Sequence, residues 1–351
     1  MTEFEVLQVE AKTGDVIATL PVSGIAYGET LNAAAGATFG MPLDAADPDT
    51  LECGRSALVV LRDGEPDWGG MLWTAAADLA AGTLTLNASG WHSYYSVRYL
   101  DMPGGYSRKT DQMFLVREFI DYANDTGGIG TDTSLLATTG RTRSRAWGFA
   151  EFKNMSEAIA ELADEEGGFD FRYETFWADA QRTRIGHRIV PQQRLAHTFP
   201  TLTHRKNADV AQVTYDASKL ASRAVAFGAD MGTGVKPYHI TSNDLPGPAM
   251  TQVVTYADLK STAELMPKAS ALGAVGRQPI AGPTLNLYPG VYEPDRFLVG
   301  AHGTVVADSG YVRLLEEFVI VERRNNVDVN GTETASLSLA SKEVFVSGDP
   351  S

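Results

Sequence analysis

The sequence carries one pattern twice, once near each end. Near the start, Leu58-Val59-Val60-Leu61-Arg62-Asp63-Gly64 leads into Trp68-Gly69-Gly70-Met71-Leu72-Trp73 and then Thr83-Leu84-Thr85-Leu86-Asn87-Ala88-Ser89. Near the end, Thr304-Val305-Val306-Ala307-Asp308-Ser309-Gly310 leads into Phe318-Val319-Ile320-Val321 and then Ser336-Leu337-Ser338-Leu339-Ala340-Ser341. Each copy reads as strand, glycine turn, strand, second turn and alternating strand. Two kindred β modules in one chain point to a component of a pseudo-symmetric ring more than to an enzyme.

Composition supports a β reading. With 34 Gly and 16 Pro in 351 residues, the chain is punctuated by turns, which suits short strands better than a helical bundle. A single cysteine, Cys53, excludes an intrachain disulfide and a thiolate zinc site. The start, with Glu3 and Glu5, shows no basic stretch followed by an apolar run, and no apolar segment approaches the ~20 residues that span a bilayer. An aqueous, reducing compartment is therefore expected. The formal net charge of -15 repels phosphate backbones, so sequence-specific nucleic-acid binding is not expected. Such charge serves solubility, or a surface past which nucleic acid slides without sticking.

Along the chain, residues 1 to about 100 read as β. Asp63-Gly64 joins Ala57–Leu61 to Trp68–Thr74 as a hairpin, and Leu84, Leu86 and Ala88 alternate with polar neighbours. From about 108 the period becomes helical, with Met113, Val116, Ile120 and Ala123 on one stripe, Thr110 or Asp111 as cap and Gly127-Gly128 as stop. Asn154 to Glu157 caps a second helix running to Glu166, stopped by Gly167-Gly168. Phe169-Phe171-Tyr173 and Arg184–Val190 then read as paired strands. Ala221–Phe227 reads as a strand, a Pro/Gly-rich loop covers Gly232 to Pro248, and a helix is expected over Tyr256–Leu265, kinked or ended by Pro267. Asn330-Gly331 turns the last hairpin.

Candidate chemistry is sparse. The histidines at 92, 187, 197, 204, 239 and 302 form no HxH or HExxH pair, no Ser stands in a GxSxG setting, and Cys53 lacks a signature linking it to a histidine. Glu161, Asp164, Glu165 and Glu166 crowd a helix end, where a solvated or partner-facing surface is expected rather than the converging acid and base of a glycosidase. Thr126-Gly127-Gly128-Ile129-Gly130 follows a helix and lacks the Gly-Lys-Ser/Thr of a nucleotide loop. Asp44, Asp47 and Asp49 miss the EF-hand register. No catalytic residue, cofactor or metal is therefore expected. The aromatic residues Trp68, Trp73, Trp91, Tyr94, Tyr95, Trp147 and Trp177 are the candidates for function. They would fill cores, be buried between subunits, or form an exposed carbohydrate platform.

Val59–Gly64 with Trp68–Trp73, Leu84–Ser89 and Trp91 resembles the N-terminal module of tail-hub minor tail proteins from siphophages of actinobacteria. Pro294–Gly300, Val319–Val321 and Gly331–Leu339 are similar to that family's closing hairpin, and Ala221–Gly228 to its middle strand. The resemblance implies a mainly β fold: two similar β-barrel tube-type domains, over 1–100 and 205–351, and an inserted α+β module over 101–204. It also implies a structural virion protein and no active site. That protein would be a homotrimeric hub at the tail tip, assembled in the host cytoplasm, meeting the distal tail protein, the tape measure and the tip or fibre proteins. Three chains with two barrels each supply six like positions for a six-fold tube, and DNA would touch the hub only in transit. The rival readings are a tail-tip glycan hydrolase or carbohydrate-binding protein, and a hexameric distal tail protein.

Overall fold

The computed structural model describes residues 2–346 except 166, 231, 233–234 and 257–260. The chain forms two compact units, and neither is one continuous stretch. The first comprises Met1–His197, Leu287–Ala301 and Ile320–Leu337; the second comprises Thr198–Asn286, His302–Val319 and Ser338–Ser351. The fold is mainly β, as the turn-rich composition requires.

Both copies of the repeated pattern fold as three-stranded antiparallel meanders. The early copy is Ser56–Arg62, Glu65–Asp78 and Thr83–Gly90, with strands of 7, 14 and 8 residues. The late copy is His302–Ser309, Val312–Val327 and Glu333–Ser341, of 8, 16 and 9 residues. Each opens on a two-residue turn. Asp63 and Gly64 take φ of 51° and 79°, while in the late turn Gly310 takes 62°. These positive values are those of primed turns, whose twist matches that of the flanking strands.

In the first unit the sheet runs Ile320–Val327, Ile25–Thr30, Gly36–Pro42, Thr83–Gly90, Glu65–Asp78, Ser56–Arg62, Phe4–Glu10 and Val16–Leu20, with antiparallel pairing throughout. Within the Ser56–Arg62 strand, Ala57–Leu61 is an unbroken apolar run because both faces of the strand are covered. Leu58 and Val60 join Phe39, Met41, Trp68 and Leu86 in one core. Ala57, Val59 and Leu61 turn to the opposite core, with Met71, Trp91 and Ile185. The period of two does the sorting.

The α+β segment of this unit has its own core. The helix Gln112–Asp125 is capped by Asp111, whose carboxylate accepts from the Met113 N–H at 2.9 Å. The second helix runs Met155–Asp164, two residues ahead of the expected start, because Asn154 itself is the cap and accepts from Glu157 N–H at 3.2 Å. Residue 166, the expected helix end, lies outside the described residues. The hairpin Asp170–Trp177 with Ile185–Gln192 closes the segment. Leu115, Val116, Phe119, Ile159, Leu162, Phe169 and Phe171 fill the space between.

In the second unit, His302–Ser309 pairs antiparallel with Val312–Val319 and parallel with Leu202–Thr203, and Ala208–Asp216 lies beside Ile280–Leu287. A separate sheet puts Arg223–Phe227 between antiparallel Tyr238–Ser242 and parallel Thr251–Thr255. The first of these flanking strands lies inside the stretch expected to be loop. The helix of this unit is Thr262–Val275, later than the expected 256–265, and residues 257–260 of that expectation lie outside the described residues. Pro267 sits within it and does not end it. Leu265, Ala269, Leu272 and Val275 are buried at helical spacing on either side of the proline, and that apolar stripe offsets the missing backbone donor.

Candidate functional site

The residues with most chemistry gather where the first sheet gives way to the short helix Trp91–Val97. Glycine makes the crossing possible. A Cβ on Gly70 would fall 2.2 Å from the Ser89 carbonyl oxygen, and one on Gly69 would fall 2.8 Å from Trp91 Nε1. The bare backbone lets the Trp91 indole lie flat, stacked on His187 with centroids 4.0 Å apart and planes 8° from parallel. Its Nε1 donates to Thr175 Oγ1 at 2.9 Å.

His187 and His92 are both buried. Tyr95 OH donates to Thr131 Oγ1 at 2.7 Å, and that hydroxyl is also hydrogen-bonded to His187 Nε2 at 2.8 Å. His92 is held between Tyr173 OH, 3.2 Å from Nδ1, and Ser156 Oγ, 2.9 Å from Nε2. Burial lowers His92 to about 4, and it lowers His187 to about 3 against a small opposing effect of Asp132. Burial likewise raises the Tyr173 phenol well above its ordinary value. The Ser156–His92 contact has the distance of a nucleophile–base pair but not its chemistry. A histidine titrating near 4 is a poor base at neutral pH, and its other nitrogen faces a phenol instead of a carboxylate. The cluster ties the short helix, the second helix and the hairpin together. Sequence reasoning weighed these histidines only as metal pairs, and no local signal marked His92 or His187 as partners of Trp91 and Tyr95.

A second buried polar group joins the late strands to the early ones within the first unit. Arg323 pairs with Glu29 at 2.9 Å, and Arg62 with Glu333 at 2.6 Å. Asn325 Nδ2 donates to Tyr292 OH at 2.9 Å and to Tyr27 OH at 3.1 Å, and Tyr27 OH donates to Asp67 at 2.5 Å. Burial works against the Arg323 charge, yet Glu29, Tyr292 and Asp67 outweigh it and its pKa stands raised. Burial pushes Tyr292 up to about 12, and burial followed by Asp67 raises Tyr27 well above its ordinary value. None of these residues stood out in the sequence, because the contacts join positions up to about 300 residues apart.

The seven sequence-selected aromatics are brought only partly together. Trp91, Tyr94 and Tyr95 share the histidine cluster, with Tyr94 edge-on to Tyr95 at 5.5 Å and the Arg98 guanidinium 5.6 Å from its ring. Trp73 sits at the bulge between Leu72 and Thr74 and donates to Ser93 Oγ at 2.8 Å. Trp68 is in the sheet core, donating to Gly28 O at 2.8 Å. Trp147 stacks on Tyr106 at 5.7 Å, and Trp177 donates to Gly64 O at 3.1 Å. Of the acidic helix end, Glu161 is paired with Lys153, and Glu165 with Arg143 and Arg145. Among the described residues no three His, Cys, Asp or Glu side chains come together as a metal site would need.

No protein-family model matches the chain, and no curated protein matches it. Solved structures do. The 43 kDa tail protein of prophage MuSo2 from Shewanella oneidensis superposes with a TM-score of 0.63 at 14% identity, covering 97% of this chain and 99% of that one. The tail protein from Neisseria meningitidis MC58 gives 0.64 at 11% identity, covering 99% of both. Prophage tail protein gp18 from Listeria monocytogenes EGD-e gives 0.55 at 12%, covering 95% and 94%. The chain thus has the fold of prophage tail proteins over its whole length.

Proposed function

We propose that this protein is a structural component of a phage tail, a trimeric hub at the tail tip that joins the tube and distal tail ring to tip or fibre proteins. One observation supports the reading above the others: the fold match covers at least 97% of this chain and 99% of two tail proteins. The twin meanders support it, since a chain presenting one motif twice lets three copies offer six like positions to a six-fold tube. Its role is assembly and guidance of DNA, with the tape measure, distal tail and tip proteins as partners and the virion as its place. The sequence resemblance adds siphophages of actinobacteria as the source. In this scheme the blocks 1–100, 101–204 and 205–351 serve as first tube domain, outer brace and second tube domain. Native mass spectrometry of the purified protein tests it. Three copies are expected; six copies would favour a distal tail ring, and a monomer at all concentrations would overturn the proposal.

A further inference from the structure

The duplication reaches further than the two meanders. In the first unit the early meander is extended by Gly36–Pro42, which pairs with Thr83–Gly90, and then by Ile25–Thr30. The late meander is extended by Ile280–Leu287, which lies beside Glu333–Ser341, and then by Ala208–Asp216. Both copies therefore share one order of five strands, in which Ile25–Thr30 and Ala208–Asp216 hold the same outer place. The middle strands correspond as well. Glu65–Asp78 and Val312–Val327 each run on past the first strand of their own meander.

The two overhangs differ in what covers them. Beyond Val319 the late middle strand gains a new neighbour, because Glu322–Val327 pairs antiparallel with Ile25–Thr30 within the first unit. The early overhang is Thr74–Asp78, beyond the bulge at Trp73, and it pairs with Thr83–Asn87 on one edge only. On its other edge Leu72 O accepts from Gly54 N–H at 2.7 Å, and past that bond no backbone partner stands among the described residues. All five of its residues are exposed. Ala208–Asp216 is likewise open on one side. Near its start Val210 N–H donates to His204 Nδ1 at 3.0 Å, and Ala211–Asp216 beyond it has a strand on one edge alone among the described residues. Thr74–Ala77 and Ala211–Tyr215 carry neither charge nor proline, the usual guards of an open edge.

Each chain thus fills one of two equivalent slots with its own strand, and is left with one open slot and one open strand of the matching kind. We propose that the slot is filled by a second copy: Ala211–Asp216 of one protomer adds antiparallel to Thr74–Asp78 of the next, as Ile25–Thr30 adds to Glu322–Val327 within a chain. Antiparallel addition sets Asp78 and Asp216 at opposite ends of the ladder, so two chains of net charge -15 join there without opposing carboxylates. The contact is heterologous, so it repeats from copy to copy and leaves neither edge open once a ring closes. Closure at three copies rests on the proposed trimeric hub; the pairing itself does not fix the number.

The test is disulfide trapping in the full-length protein, with the exposed Cys53 first changed to alanine. Val213→Cys is combined in turn with Ala75→Cys, Ala76→Cys and Ala77→Cys, which together span three adjacent registers. Opposed Cβ atoms in a ladder lie about 4.5–5.5 Å apart, close enough for a disulfide after a small adjustment. Mild oxidation should give at least one double variant bands of two and three chain masses on a non-reducing gel, and reduction should abolish them. The single-cysteine variants should stay at one chain mass, because head-to-tail pairing never sets a strand against its own equivalent. Native mass spectrometry of the same samples separates the two proposals. Three copies without linked bands would overturn the pairing and leave the trimer standing. Linked bands reaching six chains would uphold the pairing and overturn the trimer. A monomer throughout would overturn both, and dimers from Ala76→Cys alone in the yield of the double variants would replace this pairing with a two-fold one.

Discussion

His92 and His187 are neutral because the fold gives them no water and no nearby anion strong enough to hold a proton. Their pKa values in the folded chain, about 4 and about 3, lie below the ordinary 6.5. As pH falls below 6.5 the unfolded chain takes up these protons first. The stability they lend is therefore complete above 6.5, and it drains away down to the folded values. At pH 4.5 each should have cost on the order of 2–3 kcal/mol, and urea midpoints at pH 7.0 and 4.5 would measure the loss. His187→Gln should flatten that slope; an unchanged slope would mean the ring is solvated. Arg323 poses the reverse case, a buried charge that depends on its partner. Arg323→Met leaves Glu29 buried and unpaired and should cost about 3–5 kcal/mol in chemical denaturation. A cost under 1 kcal/mol would show that water reaches the pair.

At the scale of elements, close backbone approach separates two glycines of the same sheet. A Cβ on Gly70 would fall 2.2 Å from the Ser89 carbonyl, and the nearest atom to one on Gly36 is 4.0 Å away. Gly70→Ala should therefore destabilise by about 3 kcal/mol or more, whereas Gly36→Ala should be neutral or slightly stabilising. Equal urea midpoints for the two variants would refute the packing. Elements governed by short-range patterns were legible in the sequence: the Asp63-Gly64 hairpin, the capping stretches Thr110–Asp111 and Asn154–Glu157, and the paired strands after Phe169. Elements fixed by distant partners were not. Val321–Val327 reads as any alternating strand, and nothing local says that it pairs with Ile25–Thr30. The helix Thr262–Val275 runs past Pro267, which in the sequence marks a kink or an end, because burial on both sides of the proline decides the matter. Of the candidate site, the aromatic half was visible as composition. The histidine half was hidden because Thr131, Ser156, Tyr173 and Thr175 become its partners only after folding.

For the whole molecule, net charge and assembly pull against each other. Each chain carries -15, so the copies of the proposed trimer would repel one another, and apolar contact or backbone pairing, rather than a surplus of opposite charges, would have to hold them. The exposed apolar side chains Tyr311, at 88% exposure, and Leu315, at 75%, are available for the first. The long edge strand Ala208–Asp216 is available for the second. If the hub is a trimer held in this way, salt should strengthen it. Raising ionic strength from about 0.01 M to about 0.15 M shortens the screening length from roughly 30 Å to roughly 8 Å, which removes repulsion and leaves apolar contact intact. Mass photometry across that range should show the trimer fraction rising with salt. A trimer that dissociates as salt is added would place complementary charge pairs at the interface and refute this account of how like-charged copies associate.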